Sequence, residues 1–227
     1  MKRLAALHAT AWDKPEHAAR EWLNRVSPEN TANIVGIITM TAPSFFERFA
    51  RWLDPEHQAL VERVIPHVTT IVDSYDGPRT LAHGDYRLDN LIVAKDSPAI
   101  AAVLDWELST LGDPLADFSY HLMAWHMPHS ESAAGTASLV GHDLAALGIP
   151  AMADYVEAYV ARTGLDPRPS LPVYLAYNFF RLAAILQGII GRVRDGTATS
   201  EFAPAKAEMI RPLAEKAWDF AAAAGAR

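Results

Sequence analysis

The chain has 227 residues, half of them hydrophobic, with a net charge of −7 and no cysteine. That length and apolar content suit one good core or two small domains and exclude a disordered chain. The acidic balance, with no basic run longer than two residues, argues against a nucleic-acid partner. The lack of cysteine excludes disulfides and thiolate metal sites and is compatible with a reducing, cytoplasmic setting.

In chain order, Leu4 to Ala11 predicts a short helix. Pro15 fits the first turn of another, with Asp13 as its cap, running towards Leu23. Ser27 to Ala42 is mixed: Asn30 to Asn33 is turn-like and Ile34 to Ile38 is strand-like. Pro43 to Trp52 reads as helix. Asp54 and Pro55 open the next one, Pro66 kinks or divides it, and Asp76-Gly77-Pro78 ends the segment. Thr80 to Ala82, Leu91 to Val93 and Ile100 to Leu104 are short apolar strands. Asp113-Pro114 starts a helix, with an acceptor side chain at the cap and proline at the first position, running to about Trp125. His129 to Val140 is rich in small residues and reads as a mobile loop. Helices follow at Asp143 to Leu147, Ala151 to Thr163, Leu171 to Arg194 and Ala203 to Ala223, with Arg192 to Thr199 as a surface loop. The most apolar stretch, Val173 to Ile190, is broken by Asn178, Arg181 and Gln187, which predicts a buried amphipathic helix rather than a membrane span. The first residues lack the apolar core of a signal peptide.

The chemistry concentrates between the strands. His83-Gly84-Asp85-Tyr86-Arg87-Leu88-Asp89-Asn90 is followed by Leu104-Asp105-Trp106-Glu107. Moving a phosphoryl group from ATP to a hydroxyl is mostly positioning and charge neutralisation. One carboxylate must orient or accept the acceptor's proton, and magnesium must be held by hard oxygen ligands. Asp85 is the candidate base. Asn90 offers a neutral oxygen to a metal, and Asp105, after a Val-Leu strand end, offers a charged one. The same aspartate-to-asparagine step and the later aspartate occur in the protein-kinase signature.

On these residues, together with Gly112-Asp113-Pro114 and Asp117 and the later segment Phe180 to Gly188, the chain resembles the aminoglycoside phosphotransferase and choline kinase-like family. Within it, the likeness is to small-molecule kinase domains of the kind fused to some acyl-CoA dehydrogenases. The resemblance runs from about Leu4 to Trp218. It implies an α+β, mostly α, protein-kinase-like C-terminal (large) lobe spanning residues 1–227, with Asp85 as catalytic base, Asn90 and Asp105 as magnesium ligands, Mg2+ as cofactor and ATP as co-substrate. Met1 to His8 resembles the first helix of that lobe. Such an enzyme also needs a β-rich nucleotide lobe with a glycine-rich phosphate cover and a strand lysine. The 82 residues before His83 hold glycine only at Gly36 and Gly77 and lysine only at Lys2 and Lys14. The expectation is therefore a large lobe without its N-terminal nucleotide lobe, a truncated form or a fragment.

Other polar residues carry two readings each. Asp117 lies four residues after Asp113 on one helical face. It reads as a buried acceptor for the catalytic-loop backbone, with a substrate role as the alternative. His83 reads as a scaffold residue bonded to nearby backbone, with a direct catalytic part as the alternative. Arg87 is a candidate phosphate or substrate contact, or a partner of Asp89 or Glu107. Glu107 is a candidate acceptor or metal contact. Arg181 either reaches the acceptor or is buried against an acid. His121, His126 and His129 read as ordinary histidines rather than a zinc set, and Trp106, Trp125 and Trp218 as core.

The functional expectation is an O-phosphotransferase acting on a small-molecule hydroxyl. The resemblance tilts the acceptor towards a hydroxyacyl compound, while the acidic charge also suits a cationic aminoglycoside or choline. The alternative is a catalytically inactive remnant acting as a binding lobe. Its partner would be a second chain supplying the nucleotide lobe, or another copy meeting an exposed apolar lobe face. A magnesium-dependent hydrolase using the same carboxylates has no further motif to support it.

Overall fold

In a computed structural model of the chain, the described residues are 2–20, 23, 27–49, 55, 58–59, 62, 65–67, 77–129, 138–199 and 203–226. They are mostly helical, with two small antiparallel sheets. The elements are α1 (Lys2–Ala11), α2 (Pro15–Ala18), α3 (Pro28–Phe49), β1 (Thr80–Ala82), β2 (Leu91–Val93), β3 (Ile100–Val103), β4 (Thr110–Gly112), α4 (Pro114–Leu122), α5 (Met152–Thr163), α6 (Leu171–Arg194) and α7 (Ala203–Ala223). The chain divides into two compact units. One is formed by residues 1–9, 83–108 and 115–227, the other by 10–82 and 109–114.

The first unit is built on α4 to α7. Along α6, Leu171, Leu175, Phe179, Ala183, Leu186 and Ile190 are buried, a spacing that keeps one stripe of the helix against the core. The helix stops where Gly196 takes a left-handed φ of 70° and the Thr197 N–H donates back to the Arg192 carbonyl. Likewise α5 ends at Gly164, left-handed, whose N–H reaches the Val160 carbonyl. Phe118 stacks on Tyr159 with ring centroids 3.9 Å apart. Leu4, Leu122, Phe179 and Leu213 are fully buried in the same cluster, each contributing roughly 1.5–3 kcal/mol by burial. A buried polar link joins α4 to α6: Asn178 donates to the Ser119 hydroxyl at 2.9 Å. By length and composition α6 could cross a membrane. Its buried stripe and its satisfied Asn178 are those of an amphipathic core helix. The β2–β3 hairpin of this unit pairs Leu91 with Val103 and Ile92 with Ala102, with a bulge before Val93.

The second unit pairs β1 with β4, Thr80 opposite Gly112 and Ala82 opposite Thr110. β4, a three-residue strand with one apolar side chain, carries no strand pattern in the sequence. Three other expectations are corrected in this unit. The strand-like Ile34 to Ile38 lies inside α3, which runs unbroken from Pro28. Ser27 explains this: its hydroxyl accepts the Asn30 N–H at 3.2 Å, and Pro28 takes the first helical position. A capped start followed by propagation outweighs the weak strand preference of β-branched residues. The helix also passes through Pro43. Asp13 does not cap α2, which is a single turn preceded by Lys14. Its carboxylate instead accepts the Arg79 N–H at 2.7 Å, and its own N–H donates to the Arg79 carbonyl.

In the first unit, residues 143–147 form a turn in place of the expected helix, closed by the Asp143 carboxylate on the Ala146 N–H. Residues 65–67 around Pro66 form one 3-10 turn. The expected cap at Asp54 and residues 130–137 of the mobile loop expected from His129 to Val140 lie outside the described residues.

Candidate active site

The loop from His83 to Asn90 leaves β1 and enters β2. Its shape depends on Gly84, where φ is +83° and a Cβ would fall 2.5 Å from the Leu108 carbonyl oxygen. Only glycine fits both conditions. Gly84→Ala is expected to destabilise the fold by roughly 1–3 kcal/mol and to lower the urea midpoint at unchanged m-value. An unaltered midpoint would mean that the loop has another conformation.

Below the loop lies a chain of fully buried polar groups. Asp117, 1% exposed, accepts the His83 N–H at 2.5 Å and the Gly84 N–H at 2.7 Å. Its Oδ2 also faces His8 Nε2 at 3.4 Å, and His8 Nδ1 lies 3.1 Å from the Tyr159 hydroxyl. A single tautomer satisfies both contacts: Nε2–H towards Asp117, and Nδ1 accepting from Tyr159. The His83 ring is also tied to backbone. Its Nε2 bonds the Leu104 carbonyl at 2.7 Å, and its Nδ1 accepts the Asp85 N–H at 3.2 Å. Trp106, expected in the core, is partly exposed and covers His83 with ring centroids 4.8 Å apart. Trp218 is 54% exposed.

Above the loop, Asp85 is held by several donors. The Asn90 Nδ2 donates to its carboxylate at 3.0 Å and to its carbonyl at 2.9 Å. The Arg87 Nε lies 3.2 Å from its other oxygen, and Arg87 also pairs with Asp89 at 3.1 Å. Because the Asn90 amide nitrogen is committed to Asp85, its carbonyl oxygen is left for another partner. The Asn90 backbone carbonyl accepts the Leu104 N–H at 2.8 Å, which sets Asp105 next to this position in the hairpin. Asp105 is exposed and left-handed, with φ of 63°, an unusual backbone state of the kind that clusters at functional sites. Asn90 and Asp105 together offer two hard oxygens. That donor set fits magnesium, which keeps several waters and takes phosphate oxygens for the rest.

Among the described residues, Arg181 bonds backbone and an aromatic ring rather than an acid. Both terminal nitrogens donate to the Gly84 carbonyl at 3.3 Å, and the guanidinium lies 5.1 Å from the centre of the Tyr120 ring. Tyr120 and His8 did not stand out in the sequence. Tyr120 carried one legible signal, its place one helical turn after Asp117 on the same face. Its phenol is raised above the ordinary value by burial and then by the charge of Asp85. Glu107 is exposed in the turn after Asp105. His121 is pushed down to about 4 by burial among the rings of Tyr86, Trp125 and Tyr155. His126 bonds the Met152 sulfur at 3.0 Å. Among the described residues, no three His, Cys, Asp or Glu side chains form a cluster that could hold a metal ion.

The exposed side of α6 bears a groove of about 480 Å³ with Tyr177, Phe180, Ile185 and Gly188 in its lining and Arg181 and Arg192 among its polar groups. Arg181 and Arg192 are eleven residues apart, three helical turns, so they share one face at about 16 Å along the axis.

Comparison with known proteins bears on this arrangement. The chain is 43% identical over 148 residues to mouse acyl-CoA dehydrogenase family member 10, a match covering 65% of this chain and 14% of that protein. It is 36% identical over 142 residues to chicken acyl-CoA dehydrogenase family member 11, covering 62% and 18%. The matches therefore span less than a fifth of these relatives' lengths. A solved structure from Ralstonia eutropha, assigned as an aminoglycoside phosphotransferase, superposes with a TM-score of 0.56 at 46% identity, covering 64% of this chain and 43% of that one. The model of the phosphotransferase enzyme family matches residues 2–169, a span that contains His8, the whole loop from His83 to Asn90, Asp105, Asp117 and Tyr120. The chain belongs to the phosphotransferase enzyme family.

Proposed function

We propose that this chain forms the catalytic half of an ATP-dependent small-molecule O-phosphotransferase. The observation that carries the reading is the Asp85–Asn90 pair. One amide fixes the carboxylate and, by the same bond, leaves its own oxygen for a cation. Asp85 would orient the acceptor hydroxyl and take its proton, while the backbone below is fixed by Asp117. Asn90 and Asp105 would hold magnesium, which supplies charge neutralisation on the phosphates. Arg87, shared between two carboxylates and 44% exposed, can turn to an incoming anionic group.

The acceptor we propose is a hydroxyacyl compound. The α6 groove combines apolar walls with two arginines, which suits an apolar chain with an anionic end better than a cationic antibiotic. Relatives named as acyl-CoA dehydrogenases point the same way.

A second reading, a lobe that binds without transfer, draws on one observation. Gly36 lies within α3, so residues 1–82 offer no glycine-rich cover and no strand lysine for the ATP phosphates. In the first reading those parts come from a further segment or a second chain.

Mg-ATP turnover against a panel of hydroxyacyl, aminoglycoside and choline-like acceptors separates the two. Transfer is expected to require Mg2+, and Asp105→Asn is expected to raise the Mg2+ requirement by roughly 100-fold. Transfer that persists in EDTA, or is unchanged in Asp105→Asn, overturns the metal assignment. Absence of transfer to every acceptor favours the binding lobe.

A further inference from the structure

Tyr159 has no part in the scheme above, yet it is fully buried and its hydroxyl lies 3.1 Å from His8 Nδ1. On the far side of the same imidazole, Nε2 faces Asp117 Oδ2 at 3.4 Å. Asp117 gives one oxygen to each loop amide: Oδ2 accepts the His83 N–H at 2.5 Å, and Oδ1 accepts the Gly84 N–H at 2.7 Å. A tyrosine on α5, a histidine on α1 and a carboxylate on α4 thus run in one buried line to the residue before Asp85. All of these groups lie in the first unit. The line has a required direction. A neutral imidazole carries one N–H, and the partner of one nitrogen decides where it sits. A Tyr159 O–H donating to Nδ1 leaves the proton on Nε2, where the Asp117 carboxylate takes a donor. With the proton on Nδ1, a lone pair would face Oδ2, the oxygen that also holds the His83 N–H, and would repel the carboxylate from the loop. Bonds in such a buried network polarise one another, so a misplaced proton weakens the whole line. The hydroxyl is itself fixed in place. The Tyr159 ring stacks on Phe118, the neighbour of Asp117 on α4, with planes 12° from parallel, and it meets the His8 ring edge-on at 86°.

We propose that Tyr159 is a positioning residue for the loop that carries Asp85: its hydroxyl fixes the His8 tautomer, and His8 fixes the Asp117 carboxylate beneath His83 and Gly84. Its effect on transfer rests on Asp85 being the base. Tyr159→Phe keeps the ring and its stacking and removes only the hydroxyl.

In the full chain, nitrogen-15 NMR of the histidine rings is expected to show His8 protonated at Nε2 and bare at Nδ1. In Tyr159→Phe, protonation at Nδ1 is expected to appear, and the His83 and Gly84 amide signals are expected to move, although the lost hydroxyl is two contacts away from them. In the same variant, kcat for the proposed transfer is expected to fall about tenfold, less than the roughly hundredfold that a 1 Å misplacement can cost, with KM for ATP within about twofold. His8→Gln keeps an N–H donor for Asp117 and is expected to retain several times more kcat than His8→Leu, which keeps none. A wild-type proton on Nδ1, or loop amides that do not respond to Tyr159→Phe, overturns the proposal whatever the activity. Where the wild type turns over, an unchanged kcat in Tyr159→Phe, or equal losses in His8→Gln and His8→Leu, overturns it as well. If the ring and amide signals respond and the wild type transfers to no acceptor, the positioning of the loop stands and the assigned reaction alone fails.

Discussion

Asp85→Asn is expected to lower kcat for transfer by about a thousandfold, the middle of the range for removing a positioned general base. Asparagine has nearly the same shape, so the Asn90 amide can still bond the side-chain oxygen and the Gly84 turn has no reason to change. What is lost is the ability to take a proton and the negative charge opposite the acceptor. KM for ATP should change by less than about threefold, because no contact proposed for the donor passes through this carboxylate. Steady-state kinetics at saturating Mg-ATP, with the urea midpoint measured alongside, separates a chemical loss from a folding defect. Turnover that survives the substitution removes Asp85 from its role.

The second large effect concerns stability. Asp117→Ala is expected to cost about 3–5 kcal/mol. The carboxylate is fully buried and satisfies the N–H groups of two consecutive loop residues as well as facing His8. Without it, those donors stay buried with no acceptor, and each hydrogen bond to a charged group is worth about 1.5–3 kcal/mol. Asp117→Asn should be nearly as damaging, since its amide presents one donor edge to donors. The test is the urea midpoint at constant m-value. A loss below about 1 kcal/mol would show that water or a shifted loop can replace the carboxylate. Activity should fall with stability, since the loop that carries Asp85 loses its floor.

Parts of this molecule were legible in its sequence for physical reasons that also explain what was not. The long helices α6 and α7 showed in their apolar period, and Asp113-Pro114 announced α4 through a local cap signal. Asp85, Asn90 and Asp105 were legible because their spacing is fixed by one loop and one hairpin. Ile34 to Ile38 misled because β-branched residues favour strands only when a partner strand exists, while β1 and β4 pair with each other. Asp13 misled because an aspartate before a proline-led turn looks like a cap, yet its real partner, Arg79, is 66 residues away. His8 was invisible for the same reason. His8 meets Tyr159 across 151 residues. Spacing reveals sites made within one stretch of chain and is silent about supports brought from elsewhere.

The shared use of Asp117 limits what could be done with the loop as a module. Residues 83–90 look like a short cassette that could be grafted onto another scaffold, but their floor is a carboxylate on α4. That carboxylate is in turn met by a histidine on α1, 109 residues away from it in the chain. A transplant that copied the eight residues would reproduce the motif to the eye and leave two amides facing empty space. Circular permutants or chimeras would have to inherit His8, Asp117 and Tyr159 as a set.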